Sequence, residues 1–286
     1  MSLHNNRQEF LGLNHEDVLG RYRVAVVGIG GGGTHFSQQL AHIGIGTVCV
    51  FDPDHMAENN QNREVGSTEN DIADRTLKVD IAERLMKGIR SSTKVVKVPY
   101  RWQERAEILR GCHIVFGCLD SFSDRAELEV ACRRYMQPLI DIGMDVHSVG
   151  DEYVIGGQVI LSMPGFLCMR CVGFIRDDVL FKEASRYGAA GPRAQVIWPN
   201  GVLASAAVGV FMQLVTPWHK LHISTVCLEY DGNAQTLLPS NRLGALQGRV
   251  CLHFSGENHV GDPFWSPENQ SHAESVQDDQ VQAVQQ

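Results

Sequence analysis

The chain has 286 residues, with 25 Lys and Arg against 33 Asp and Glu, for a formal net charge of −8. That balance argues against sequence-independent nucleic-acid binding, which needs clustered cations to neutralise phosphates. With no run of about 18 apolar residues, no membrane span is expected. At 43% hydrophobic and 20% charged, the composition is that of a globular domain whose core needs neither disulfides nor metal merely to fold.

In chain order, the first strong pattern is residues 23–28, a β-branched run ending in glycine that predicts a buried strand. A glycine-rich turn over 28–33 follows, then a helix over 34–43 with Phe36, Leu40 and Ile43 on one face. Gly44 and Gly46 end that helix. Residues 47–51 form a second strand, closed by Asp52-Pro53-Asp54. Strand, glycine turn, helix and strand within about 30 residues make a βαβ unit. Residues 78–89 read as an amphipathic helix, 94–99 and 113–118 as strands, 125–135 as a helix and 138–143 as a further strand. Such alternation predicts an α/β fold, a Rossmann-like, doubly wound and mostly parallel sheet. From 153 the texture changes: antiparallel strand and turn over 153–163, a buried helix with its lead-in over 195–215, and a strand over 222–230. The tail, 269–286, lacks periodicity and is expected to be disordered. The first ten residues are polar and carry no apolar signal core, so a cytoplasmic setting is expected, with the eight cysteines as thiols or metal ligands.

Gly28-Ile-Gly30-Gly31-Gly32-Gly33 lies after a strand and before a helix, where backbone N–H groups and the helix dipole can face a phosphate. Asp52 and Asp54, at the end of the second strand, suit a ribose diol. Any mononucleotide or dinucleotide binder shares these features. The groups that follow are less generic: Asn60-Gln-Asn62-Arg63, Lys78 at a helix start, and Cys118-Leu-Asp120 with Arg125 beyond it. Arg63 and Lys78 suit a triphosphate under nucleophilic attack, and Asp120 suits Mg2+, which prefers carboxylate and phosphate oxygens. A nicotinamide-dependent oxidoreductase has little use for this set.

These residues resemble the ThiF/MoeB/HesA superfamily, the fold of ubiquitin-activating enzymes, over residues 6–254. The resemblance places the glycine loop at Gly28, Gly30, Gly31 and Gly33, and the ribose acids at Asp52 and Asp54. It places the triphosphate groups at Asn60, Arg63 and Lys78 and the magnesium aspartate at Asp120. An arginine that enters the partner subunit's site falls on Arg7. It implies ATP, Mg2+ and adenylation of a C-terminal glycine on a ubiquitin-like or sulfur-carrier protein. It also implies a homodimer, with a conjugating enzyme as a further partner. The domain expected is 1–268, with an ATP-binding half over 1–150 and a substrate and zinc half over 151–268. A peptide or modified-tRNA carboxylate, and a non-catalytic scaffold for a ubiquitin-like partner, remain alternatives.

The chain departs from the family pattern in three places. Glu64 stands where relatives usually carry glutamine. The late loop, 195–201, has no cysteine where many relatives hold their thioester nucleophile, which favours adenylation over thioester formation. The zinc knuckle keeps Cys168 and Cys171, but its second pair reads Cys251-Leu-His253. A tetrahedral Zn2+ then needs His253 as its last ligand, or His259. A crossover loop that covers the substrate tail corresponds to 181–192.

Overall fold

The computed structural model describes residues 6–185, 194–220 and 225–254; the expectations for 186–192, 222–224, His259 and the tail fall outside the described residues. A 3-10 turn, Asn6–Leu11, and helix α1, His15–Arg21, lead into β1, Arg23–Val27. Then follow α2 (Gly31–Ile43), β2 (Thr47–Phe51), α3 (Glu69–Ala73), α4 (Lys78–Ile89), β3 (Lys94–Val98), α5 (Ala106–Arg110), β4 (Ile114–Gly117) and α6 (Phe122–Arg134). The second half holds β5 (Leu139–Val149), β6 (Glu152–Ser162), α7 (Asp177–Ser185), α8 (Ile197–Val215), β7 (Val226–Asp231), β8 (Thr236–Pro239) and α9 (Arg242–Ala245).

The strands form one sheet in the order β3-β2-β1-β4-β5-β6-β7-β8. The first five are mutually parallel and the last three antiparallel. Side chains on a strand alternate between faces, and β1 and β2 divide the core accordingly. Val24, Val26, Val48 and Val50 pack under α2, α4 and α8, while Ala25, Val27, Cys49 and Phe51 pack on the opposite face with Leu109, Leu128 and Cys132. Hence these strands read as continuous apolar runs, as strands covered on both faces do.

Helix α8 is long and apolar enough to cross a membrane by length and composition. Its Leu203, Ala204, Ala207 and Phe211 are buried against α2 and the sheet, which makes it a core helix, as the sequence predicts.

Several boundaries differ from expectation: α2 takes in Gly31–Gly33, which the sequence places in the turn; residues 181–185, expected in a crossover loop, close α7; and β7 begins at Val226 rather than 222. Helix α6 starts at Phe122 rather than 125, because the Ser121 hydroxyl caps it by accepting from the Asp124 N–H at 3.0 Å. Strand β5 continues to Val149, six residues past the expected end. Its outer half pairs with β6 from Met144↔Gly157 to Val149↔Glu152 as a largely exposed hairpin with no buried apolar run.

Candidate functional site

Strand order reverses between β1 and β4, and a cavity of 540 Å³ opens beyond the carboxyl ends of the parallel strands. This is where doubly wound sheets place ligands. Gly28, Gly30, Gly31, Gly32, Asp52, Asp54, Arg63, Lys78, Asp120 and Arg125 all reach its wall. Gly33, Asn60 and Arg7 do not line it; Arg7 is exposed on the N-terminal 3-10 turn.

The glycines divide by purpose. Gly28 has φ +89°, and a Cβ there would lie 2.7 Å from the Cys118 carbonyl; at Gly33 it would lie 2.0 Å from the Gly28 carbonyl. Both are glycine because the turn itself demands it. A Cβ on Gly30 would meet nothing within 4 Å, so no protein atom requires glycine there. The space it leaves open faces the cavity at the start of α2, as a phosphate cradle requires. Gly30→Ala should therefore leave the melting temperature nearly unchanged while weakening nucleotide binding by at least about tenfold. Gly33→Ala should lower stability outright. Thermal melts paired with calorimetric ATP titration check both.

Asp52 is buried, and its carboxylate accepts from the Ile29 N–H at 2.6 Å and the Asp54 N–H at 2.9 Å, so it braces the glycine turn. Burial pushes its pKa up; Lys78 and those two N–H groups offset this only in part. Asp54, with its side chain 67% exposed, is the acid free to meet a ligand from the cavity rim. Lys78 opens α4, its ammonium 3.6 Å from Asp54 and 3.2 Å from Glu64. Burial alone would depress that lysine, but the carboxylates of Asp52, Glu64 and Asp54 outweigh it and hold the pKa above its ordinary value. Arg63 donates to the Asn59 carbonyl and to Asn62 Oδ1 at 3.3 Å. Asp120 sits just before α6 and accepts from Gln195 Nε2 at 3.3 Å.

Arg125 forms the floor, with a guanidinium nitrogen donating to buried Asp141 and to the Ile142 carbonyl at 2.7 Å. Burial pushes the Asp141 carboxyl up to about 6 despite the guanidinium. The folded chain thus binds this proton at higher pH than the unfolded chain, whose aspartates titrate near roughly 3.9. On account of Asp141, stability falls as pH rises from about 4 to about 6. Asp141→Asn should remove that slope from melting curves recorded between pH 4 and 7.

On the α6 face of the sheet, Cys168, Cys171, Cys251 and His253 place their donor atoms within 4.8 Å of one another. The Cys168 and Cys171 sulfurs are 3.6 Å apart, and His253 Nδ1 lies 3.4 and 3.3 Å from them. Ligands around a tetrahedral Zn2+ stand roughly 3.5–3.8 Å apart, so three thiolates and one imidazole fit that ion despite the short Cys251-Leu-His253 spacing. Buried Glu129 on α6 accepts from the Met169 N–H at 2.7 Å, fixing the backbone between the first two cysteines.

Several cavity residues carried no signal of their own in the sequence. Tyr100 and Arg101 follow β3, Gln158 and Asp145 come from the β5–β6 pair, and Phe174 lies three residues past Cys171. Only the folded sheet, with its antiparallel β5–β6 pair, and the knuckle bring them to one place.

A cavity at the switch point of a doubly wound sheet, with an open glycine turn and an acid after β2, defines the Rossmann-like class of α/β protein. The chain belongs to the ThiF family, whose model matches residues 3–248. It is 30% identical over 168 residues to the SAMP-activating enzyme E1 of Haloferax volcanii, covering 58% of this chain and 56% of that one. To the sulfur carrier protein ThiS adenylyltransferase of Escherichia coli it is 26% identical over 206 residues, covering 70% of this chain and 76% of the relative. The chain thus spans little more than half of the first of these relatives. In fold it is similar to a solved structure of E. coli MccB with ATP, at TM-score 0.67 and 16% identity, covering 84% of this chain and 72% of that one.

Proposed function

We propose that this chain is an ATP-dependent adenylyltransferase that activates the C-terminal glycine carboxylate of a ubiquitin-like or sulfur-carrier protein. The observation that carries the reading is the convergence of Gly30, Asp54, Arg63, Lys78 and Asp120 on one switch-point cavity. The relatives named as activating enzymes and adenylyltransferases support the same class of chemistry.

In this reading the phosphates lie against the backbone at Gly28, Gly30 and Gly31, and Asp54 takes the ribose, with Asp52 bracing the turn behind it. Arg63 and Lys78 face the triphosphate. A carboxylate oxygen of the substrate attacks the α-phosphorus, the bond to the bridging oxygen breaks, and pyrophosphate departs with those electrons. Negative charge accumulates on the leaving group, so fixed cations in a confined site lower the barrier. Asp120 would hold Mg2+, whose charge supplements theirs on the phosphate oxygens. Arg7 serves a partner subunit's cavity in a homodimer, which agrees with its distance in sequence and its exposure outside its own. The 1–268 unit acts as one domain, with Zn2+ at Cys168, Cys171, Cys251 and His253.

All eight cysteines are placed in the structure. Five are buried, Cys171 and Cys251 belong to the knuckle, and burial raises the Cys118 thiol on the cavity wall well above its ordinary value. A thioester needs an accessible thiolate. The acyl-adenylate therefore passes to an acceptor on another molecule, a thiol, persulfide or amine.

ATP–pyrophosphate exchange tests the proposal. Exchange that depends on a protein ending in glycine is the expected result. ATP binding without exchange for any such tail would overturn the substrate assignment and favour another carboxylate.

A further inference from the structure

The carboxylate of Glu64 has no place in the scheme above. Its side chain is 1% exposed, and the residue stands behind the cavity wall rather than on it. Its Oε1 lies 3.2 Å from the Lys78 ammonium and accepts from Asn60 Nδ2 at 3.0 Å. Asn60, also buried, thereby steadies the same carboxylate oxygen that faces the lysine. The loop that carries both is pinned to α2, because the Val65 N–H donates to the Thr34 hydroxyl at 3.0 Å. The Lys78 N–H in turn donates to the Asp54 carbonyl at 3.0 Å. Both ends of the Lys78–Glu64 pair are therefore fixed by backbone contacts, and the pair is built rather than incidental.

The charge count around Lys78 is unusual for a residue that must attract a polyanion. One ammonium faces the field of Asp52, Asp54 and Glu64, and Glu64, at 3.2 Å, is nearer to it than Asp54 at 3.6 Å. Asp52 is occupied by the glycine turn and Asp54 stands at the rim. Only Glu64 is a buried anion whose contacts are with Lys78 and with the amide that steadies it.

We propose that Glu64 is a positioning residue that holds the Lys78 ammonium against the cavity wall and sets the affinity for the nucleotide's terminal phosphates, which must draw Lys78 away from it. The proposal rests on the adenylation reading for the identity of the ligand. Glutamine keeps the shape and an accepting carbonyl but removes the charge. Glu64→Gln thus leaves Lys78 steadied and makes it easier to recruit.

The experiment is calorimetric titration of the full chain with a non-hydrolysable Mg-ATP analogue and, separately, with AMP. Glu64→Gln should bind the analogue about tenfold more tightly, while AMP, which lacks the outer phosphates, changes by less than about twofold. In a Lys78→Ala background the same substitution should change analogue affinity by less than about twofold, because the effect runs through the ammonium. A Glu64→Gln protein with an unaltered melting temperature and unaltered or weaker analogue binding would overturn the assignment. So would an equal gain for AMP, or a tenfold gain that persists without Lys78. If the unsubstituted protein binds no analogue at all, the nucleotide reading itself falls and this assignment falls with it.

Discussion

Asp120→Ala is expected to lower ATP–pyrophosphate exchange by at least about a hundredfold, and Arg63→Ala by a similar factor. The two residues reach the cavity from unrelated places: Asp120 from the turn between β4 and α6, Arg63 from the loop after β2. Neither is buried in the core, and Asp120 accepts from the side chain of Gln195 at the cavity. Substitution should therefore leave the melting temperature within a few degrees while removing, in the proposed reaction, one phosphate-facing cation (Arg63) or the carboxylate that would hold Mg2+ (Asp120). For Asp120 the loss should appear in turnover, with nucleotide measured without Mg2+ binding as before. Asp120→Asn should not rescue, because an amide cannot supply the negative charge that a divalent cation requires. Full exchange activity in either variant would overturn that residue's role and leave the fold assignment intact.

The second large effect concerns stability. Cys251→Ser, or extraction of metal by a chelator, should lower the melting temperature by roughly 5 °C, corresponding to about 3 kcal/mol for a chain of this size. One stoichiometric Zn2+ should be lost with it. Donor atoms within 4.8 Å of one another, three of them sulfur, repel or waste their lone pairs unless a cation collects them. The cluster also ties Cys251, near the end of the described chain, to the Cys168 turn that Glu129 anchors on α6. Without the ion that tie is left to weak sulfur contacts. Exchange activity assayed at low temperature should be largely kept, since none of the four donor residues lines the cavity. A metal-free protein with an unchanged melting curve would remove the structural role.

The continuous apolar runs that predict β1 and β2 also predict burial on both faces, so the doubly wound core was legible in the sequence. Val24, Val26, Val48 and Val50 had no alternative to burial, and the glycine turn could only sit between β1 and α2. Spacing alone also drew attention to Asp54, Lys78 and Asp120, because helix starts and strand ends put side chains at the sheet's carboxyl edge. The outer half of β5 was not legible. It is held by cross-strand hydrogen bonds to β6 rather than by apolar burial, and a polar alternation such as Asp145 to Ser148 leaves no one-chain signal.

Tertiary structure alone decided what each polar group touches. The sequence puts Asp52 behind Asp54 without giving a reason, and the fold supplies one: Asp52 accepts from the Ile29 and Asp54 N–H groups, while the Asp54 side chain is exposed at the cavity rim. Asn60 reads as a phosphate ligand in the sequence, whereas in the fold its amide is turned onto Glu64. The short Cys251-Leu-His253 spacing looked tight for a zinc pair, and the fold brings both donors onto the Cys168 turn, 80 residues away and more. The reason is common to all three. Periodicity records which side chains leave water, a property of each position, whereas hydrogen bonds, ion pairs and ligand sets belong to pairs of positions that only the folded chain brings together.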